Sequence, residues 1–272
     1  MNITASEALI EIFANVDVFI VVFVRVMGFF IILPIMAGQN LPLGARIGLS
    51  LGMALLAFLS NAVVLPTYTF TALSFGFLVV QEFLIGVIIG FAVMMMFSLF
   101  HFVGQLVDFQ IGFSMVSVAD PFGQQQTPIT GNLYYLIISV FFISSGALRD
   151  VIWLFFESYN ILGIGEAVVI GNEFIAAFMV DMIIEYFVFG LRIALPVIGT
   201  VIIVDIILGI LVKAVPQMNV FVVGIPLKVF IGMIVIWLTL PLIETAFREV
   251  LDFLFGYIQA LILQMAPSEV AQ

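Results

Sequence analysis

Residues 174–215 read FIAAFMVDMIIEYFVFGLRIALPVIGTVIIVDIILGILVKAV, from Phe174 to Val215. An upright bilayer crossing takes about 20 apolar residues. As one helix this run would measure about 60 Å at 1.5 Å per residue. Pro196 lies inside it, removes a backbone donor and predicts a kink. A run too long for one straight crossing and too apolar for water predicts a tilted, bent helix packed on other subunits.

Its neighbours extend the pattern. The turn VPQMNVFVVGIP leads into a second overlong apolar run, Phe221 to Met265, which holds Pro241. Residues 172–265 therefore read as one helical hairpin with its tip at 215–227. Upstream, apolar runs cover Val18–Ile35, Leu43–Leu65, Phe70–Val107 and Leu133–Phe156. Residues 1–160 read as a more complex helical part, and no solenoid repeat is visible. The fold class is all-α and membrane-type, built from long kinked apolar helical hairpins.

Composition agrees. Of 272 residues, 64% are hydrophobic and 9% charged, against about half and about a quarter in a soluble domain. One water-soluble core of this size cannot hide that much apolar surface. Seven Lys+Arg against 17 Asp+Glu give a net charge of -10, which excludes a phosphate-binding basic face and a polybasic headgroup patch. The absence of cysteine removes disulfides and thiolate metal sites. The first residues lack a basic n-region, and the first positive charge, Arg25, falls inside an apolar stretch, so the N-terminus is expected to be retained. The basic residues form no loop clusters, and the positive-inside rule assigns no orientation.

Charges inside apolar runs need partners. The set is Arg25, Arg46, Asp181, Glu185, Arg192, Asp205 and Lys213. Asp181 and Glu185 are four apart and share a helix face, with Arg192 seven beyond. A Glu185–Arg192 contact would have to span two turns, so partners within or between chains are both open. Gly86 and Gly90 form a GxxxG pattern that predicts a close helix crossing. Met94, Met95 and Met96 point in different directions on a helix and read as packing.

Nothing here composes an active site. His101 is the only histidine. With Gly104 and Asp108 at helical spacing it makes a poor metal site, and a hydrogen-bonded structural role fits better. There is no GxSxG elbow, no phosphate-binding GxxxxGK[ST] and no GxGxxG. The expectation is a non-enzyme with no catalytic residues, metal or cofactor.

The segment Gln105–Asn132 differs from its surroundings. Phe113, Met115, Val116, Val118 and Phe122 alternate with polar residues and lead to Gln124, Gln125 and Gln126. Asp120-Pro121 and Thr127-Pro128 oppose a continuous helix, and Gly112 and Gly123 permit sharp turns. Non-helical backbone at membrane depth survives only inside protein or beside a water-filled cavity. The segment reads equally as a gate or as an exposed connector.

These residues resemble the FliR/SctT family of type III secretion export-gate proteins, most closely its flagellar members. The landmarks are Arg25, Gly28, Pro34, Pro42 and Arg46, then Gln105, Gly112, Asp120-Pro121 and Pro128, then Leu195-Pro196, Pro216, Gln217, Asn219, Phe221, Gly224 and Pro226. The string PQMNVFVVGIP is the specific element. Ser145-Gly146-Ala147 departs from the Asn-Gly-His of many members.

The resemblance implies a FliP-like part (1–160, with a plug loop at about 108–132) followed by a FliQ-like hairpin (172–265), in a helical hetero-oligomer around the export path. The implied plug comprises Phe113, Met115, Val116, Val118, Asp120, Pro121, Phe122, Gly123, Gln124, Gln125 and Gln126. Implied partners are FliP-like and FliQ-like subunits, FlhB-like and FlhA-like proteins, unfolded export substrates and membrane lipid, with no nucleic acid. The implied location is the bacterial inner membrane, in the flagellar basal body. An ion- or proton-coupled secondary transporter using Asp181, Glu185 and Asp205, and a purely structural assembly subunit, are the alternatives.

Overall fold

The computed structural model describes residues 15–37, 42–59, 71–113, 128–164, 173–217 and 219–266. Among them every regular element is a helix: α1 (Val16–Ile32), α2 (Pro34–Ala37), α3 (Leu43–Leu59), α4 (Ala72–Ile111), α5 (Ile129–Ser144), α6 (Ala147–Ile161), α7 (Glu173–Ala214) and α8 (Val220–Met265).

Local chemistry sets the boundaries. Leu33, before Pro34, is pushed to φ -56, ψ 119, which ends α1. Pro34 then opens α2, where its missing N–H costs nothing. Gly112, at φ +96, closes α4 by giving its N–H to the Asp108 carbonyl at 3.2 Å. The run Leu133–Phe156 is not one helix. Gly146 adopts φ +83 and separates α5 from α6, because only glycine takes the left-handed region without a Cβ penalty.

The connection between α7 and α8 is shorter than the motif suggests. Val220 onward is helical, and the Asn219 carbonyl accepts from Val222 and Val223. Phe221, Gly224 and Pro226 thus lie within the first two turns of α8, while Pro216 and Gln217 are exposed between the helices. Both long helices run through their prolines, Pro196 in α7 and Pro226 and Pro241 in α8.

The chain forms two compact units, and α4, α7 and α8 contribute residues to both. In the first unit α1 packs on α3. Val18, Val22, Val26 and Phe29 line the buried face of α1, and Val151, Leu154 and Phe155 of α6 are buried as well. In the second, the core draws on Phe97, Phe100 and Val103 of α4, Ile138 and Phe142 of α5, Val197 and Val201 of α7, and Phe247 of α8. Stacked and edge-on rings, such as Phe97–Phe142 at 5.2 Å between centroids, fill it.

Among the described residues three helices, α4, α7 and α8, are long and apolar enough to cross a membrane. They differ in cover. The most apolar 18-residue window is 61% buried in α4, but only 22% in α7 and 17% in α8. Ile203, Ile206, Ile210, Phe230, Met233 and Trp237 stand exposed on the last two. Surface this apolar needs lipid or protein against it.

Candidate functional site

The densest polar constellation lies in the first unit, around Arg25. The side chain is fully buried. Its Nε donates to the Glu82 carboxylate, NH1 to Ser158 Oγ at 3.3 Å, and NH2 to the Leu162 carbonyl at 3.1 Å. The guanidinium carbon lies 4.1 Å above the Tyr159 ring, and the Tyr159 hydroxyl donates to the Val22 carbonyl at 3.2 Å. One cation thereby ties α1, α4 and α6 together. The Leu162 carbonyl is at the C-terminal end of α6, where the helix dipole favours positive charge. Glu82 Oε1 is buried without a partner among the described residues.

The cluster depends on glycine. A Cβ on Gly86 would collide with the Arg25 carbonyl oxygen. On Gly28 it would fall 2.5 Å from the Phe83 carbonyl oxygen, and on Gly90 2.8 Å from that of Phe29. The GxxxG pattern therefore does seat α1 against α4 backbone to backbone.

The second unit holds a smaller device. The Asp108 carboxylate accepts from the Thr130 backbone N–H at 3.0 and 3.2 Å. It satisfies an N–H in the first turn of α5 that no intrahelical carbonyl can reach. Gly104 and Gly131 meet beside it with no room for a Cβ on Gly104. Replacing Asp108 with alanine should lower stability by about 1–2 kcal/mol, as loss of a cap does. A thermal midpoint of the detergent-solubilised chain unchanged from wild type would remove this role.

The residues singled out from sequence are distributed as follows. Phe113 is half-buried just beyond α4. Met115, Val116, Val118, Asp120, Pro121, Phe122, Gly123, Gln124, Gln125 and Gln126 lie outside the described residues. Gly224 is buried, Asn219 and Pro226 are exposed, and Phe221 is placed by its backbone. Arg46 is half-buried in α3, its carbonyl accepting from Ser50 Oγ at 2.8 Å. Asp181, Glu185, Arg192 and Lys213 are exposed in the single chain. Arg192 lies 5.5 Å over the Phe189 ring. Asp205 pairs with Lys228 of α8.

Sequence reasoning overlooked Glu82, Ser158, Tyr159 and Lys228. Glu82 carried a usable signal, since it is the only acid between Phe70 and Val107. A lone acid in such a run demands a cation.

Long apolar helices, two of them poorly covered, together with buried charges tied across helices, define an integral membrane protein built to be enclosed by lipid or other subunits. The model of the family described as "Bacterial export proteins, family 1" matches residues 16–254, and the chain belongs to that family. It is 30% identical to the flagellar biosynthetic protein FliR of Bacillus subtilis, over 85% of this chain and 89% of the relative. It is 27% identical to that of Escherichia coli, over 87% and 91%. The surface presentation of antigens protein SpaR of Shigella flexneri is 26% identical over 60% of this chain and 62% of its own length.

Proposed function

We propose that this chain is a subunit of the flagellar type III protein export gate, lining and plugging the channel for unfolded flagellar proteins. The observation that carries the proposal is the family match over residues 16–254, joined by relatives named flagellar biosynthetic proteins that are matched over nine-tenths of their length. The flagellar relatives align over more of the chain than the SpaR relative does, which favours the flagellar system. The role is conductive and structural rather than catalytic. Residues 1–160 form a FliP-like part and 172–265 a FliQ-like hairpin. FliP-like and FliQ-like subunits cover the exposed apolar faces of α7 and α8, and FlhB-like and FlhA-like proteins are neighbours. The assembly sits in the bacterial inner membrane at the flagellar basal body.

The plug is residues 113–126. Its support is compositional: apolar Phe113, Met115, Val116, Val118 and Phe122 shut the lumen to water and ions, as hydrophobic constrictions do. The glycines Gly112 and Gly123 permit the backbone to swing when cargo arrives. The hairpin tip (Pro216, Gln217, Asn219, Phe221, Gly224 and Pro226) and the charges Arg46, Asp181, Glu185, Arg192 and Lys213 serve assembly, while Arg25 and Asp205 hold the chain's own helices together through Glu82 and Lys228.

The test is a pull-down of the tagged full chain from its native membrane, followed by conductance of the purified complex in planar bilayers. The expected result is a defined complex with FliP-like and FliQ-like proteins. Deleting Phe122 with Gln124–Gln126 should raise its ion leakage. Wild-type conductance from an assembled deletion complex would reduce the chain to a structural subunit. Solute or ion transport by the isolated chain would favour a transporter instead.

A further inference from the structure

From residue 183 onward α7 belongs to the second unit, and there it has two distinct faces. One is used inside the chain: Tyr186, Gly190, Ala194, Val197, Val201 and Leu208 are buried. The opposite face carries a row that starts at Glu185 and recurs at alternating steps of three and four residues as far as Lys213. Its apolar members, Val188, Leu195, Ile202 and Ile206, are exposed. That spacing keeps one side of a helix in line and suits a second helix crossing at about 20°.

Charge is sorted onto this row. In the second unit α7 bears Glu185, Arg192, Asp205 and Lys213. Asp205 lies off the row and pairs with Lys228. The other three lie on it, exposed, and form no ion pair among the described residues. Glycine is sorted in the same way. A Cβ on Gly190, off the row, would meet the Leu99 side chain at 2.8 Å. Gly199 and Gly209, on the row, have nothing within 4 Å of a Cβ.

These features select the occupant. Lipid chains would leave Glu185 and Arg192 unsatisfied among apolar side chains. A second copy of this chain, inserted the same way, would set Glu185 against Glu185 and Arg192 against Arg192, and like charges repel. Glu185 and Arg192 are about 10 Å apart along the axis at 1.5 Å per residue, so one straight helix can answer both. Open glycines admit such a helix closely.

We propose that this row receives one apolar helix of a different subunit. That helix sets a Lys or Arg against Glu185, an Asp or Glu one heptad along against Arg192, and bulky aliphatic side chains over Gly199 and Gly209. The proposal rests on the reading of the chain as one subunit of an assembly, and adds the contact row and the charge order of its partner.

A photo-activated cross-linker is placed in turn at Val188, Leu195 and Ile202 of the tagged full chain, and the assembly is irradiated in its native membrane and purified. Mass spectrometry of the adducts is expected to find one segment of one other protein, its attachment points advancing in step with the position used. That segment should carry a base at the level of Glu185 and an acid at the level of Arg192. Gly199→Leu should cut recovery of that protein about tenfold, the scale of one overpacked contact. The same variant, isolated in detergent, should keep the wild-type thermal midpoint, because its space is open within the chain. Arg192→Glu should also lower recovery, and Arg192→Lys should retain it.

Adducts to phospholipid alone, to a second copy of this chain, or to a segment without those charges overturn the proposal. So does full recovery in both Gly199→Leu and Arg192→Glu. Neighbours that co-purify but are captured elsewhere remove the row assignment and leave the assembly standing. A wild-type chain that emerges from its membrane alone removes both.

Discussion

Replacing Arg25 with alanine is expected to deplete the protein from membranes, with a loss of about 3–5 kcal/mol in stability. The magnitude follows from burial. Arg25 and Glu82 are both fully shielded, so removing the guanidinium strands a carboxylate among α1, α4 and α6. It also strips donors from Ser158 Oγ and the Leu162 carbonyl. Against a total stability of about 5–15 kcal/mol, that loss moves a large share of the chain into degradable states.

Arg25→Lys should fall between wild type and alanine. One ammonium keeps the charge but cannot reproduce a planar fork that reaches three partners and lies over the Tyr159 ring. The double replacement Arg25→Met with Glu82→Leu should recover much of the alanine loss, because the penalty belongs to the stranded charge rather than to the missing pair. Quantitative blotting of membranes and the thermal midpoint of solubilised protein measure all three. A singly substituted Arg25→Ala chain that accumulates and melts like wild type would dismiss the cluster as a stability element.

Gly86→Leu is expected to do comparable damage for a different reason. The obstacle at Gly86 is the backbone of α1, the Arg25 carbonyl and the Phe29 amide, and backbone cannot rotate out of the way as a side chain can. Gly28 and Gly90 meet carbonyl oxygens in the same crossing. Any side chain at 86 must push α1 away from α4, which also pulls Arg25 off Glu82. Overpacking alone costs about 1–3 kcal/mol, and the disrupted ion pair adds to it.

Gly199 and Gly209 in α7 provide the comparison, since nothing lies within 4 Å of a Cβ at either. Alanine there should be neutral or stabilising by up to about 1 kcal/mol, through helix propensity. Thermal midpoints of Gly86→Ala and Gly199→Ala compared side by side decide the matter. Equal midpoints would mean that the α1–α4 approach is looser than described.

Arg25 and Asp205 show how far the site was legible. That Arg25 required an acid could be read from its apolar surroundings. Which acid could not, because Glu82 lies 57 positions away and reaches it only through the rotation and crossing of two helices. Asp205 sits in a run with Arg192 and Lys213, yet its partner is Lys228, across the α7–α8 turn. Helical spacing ranks neighbours on one helix and is silent about the facing one. Gly146 is similar: a single glycine inside Leu133–Phe156 is tolerated by many membrane helices, and only its φ of +83 shows that it breaks this run.

Composition and run length alone determined that the regular elements among the described residues are helices, that the longest of them exceed a single upright bilayer crossing, and that water cannot be the solvent for their apolar faces. These conclusions follow from transfer free energies and helical rise, both of which are local and additive. Pro34, Gly112 and Gly146 set several helix ends for the same local reason. The tertiary structure alone decided which charges meet, which glycines are crossings rather than idle small residues, and that α4 is largely enclosed while α7 and α8 are left bare. Each of those depends on helix rotation and crossing, which arise from the packing of the whole chain.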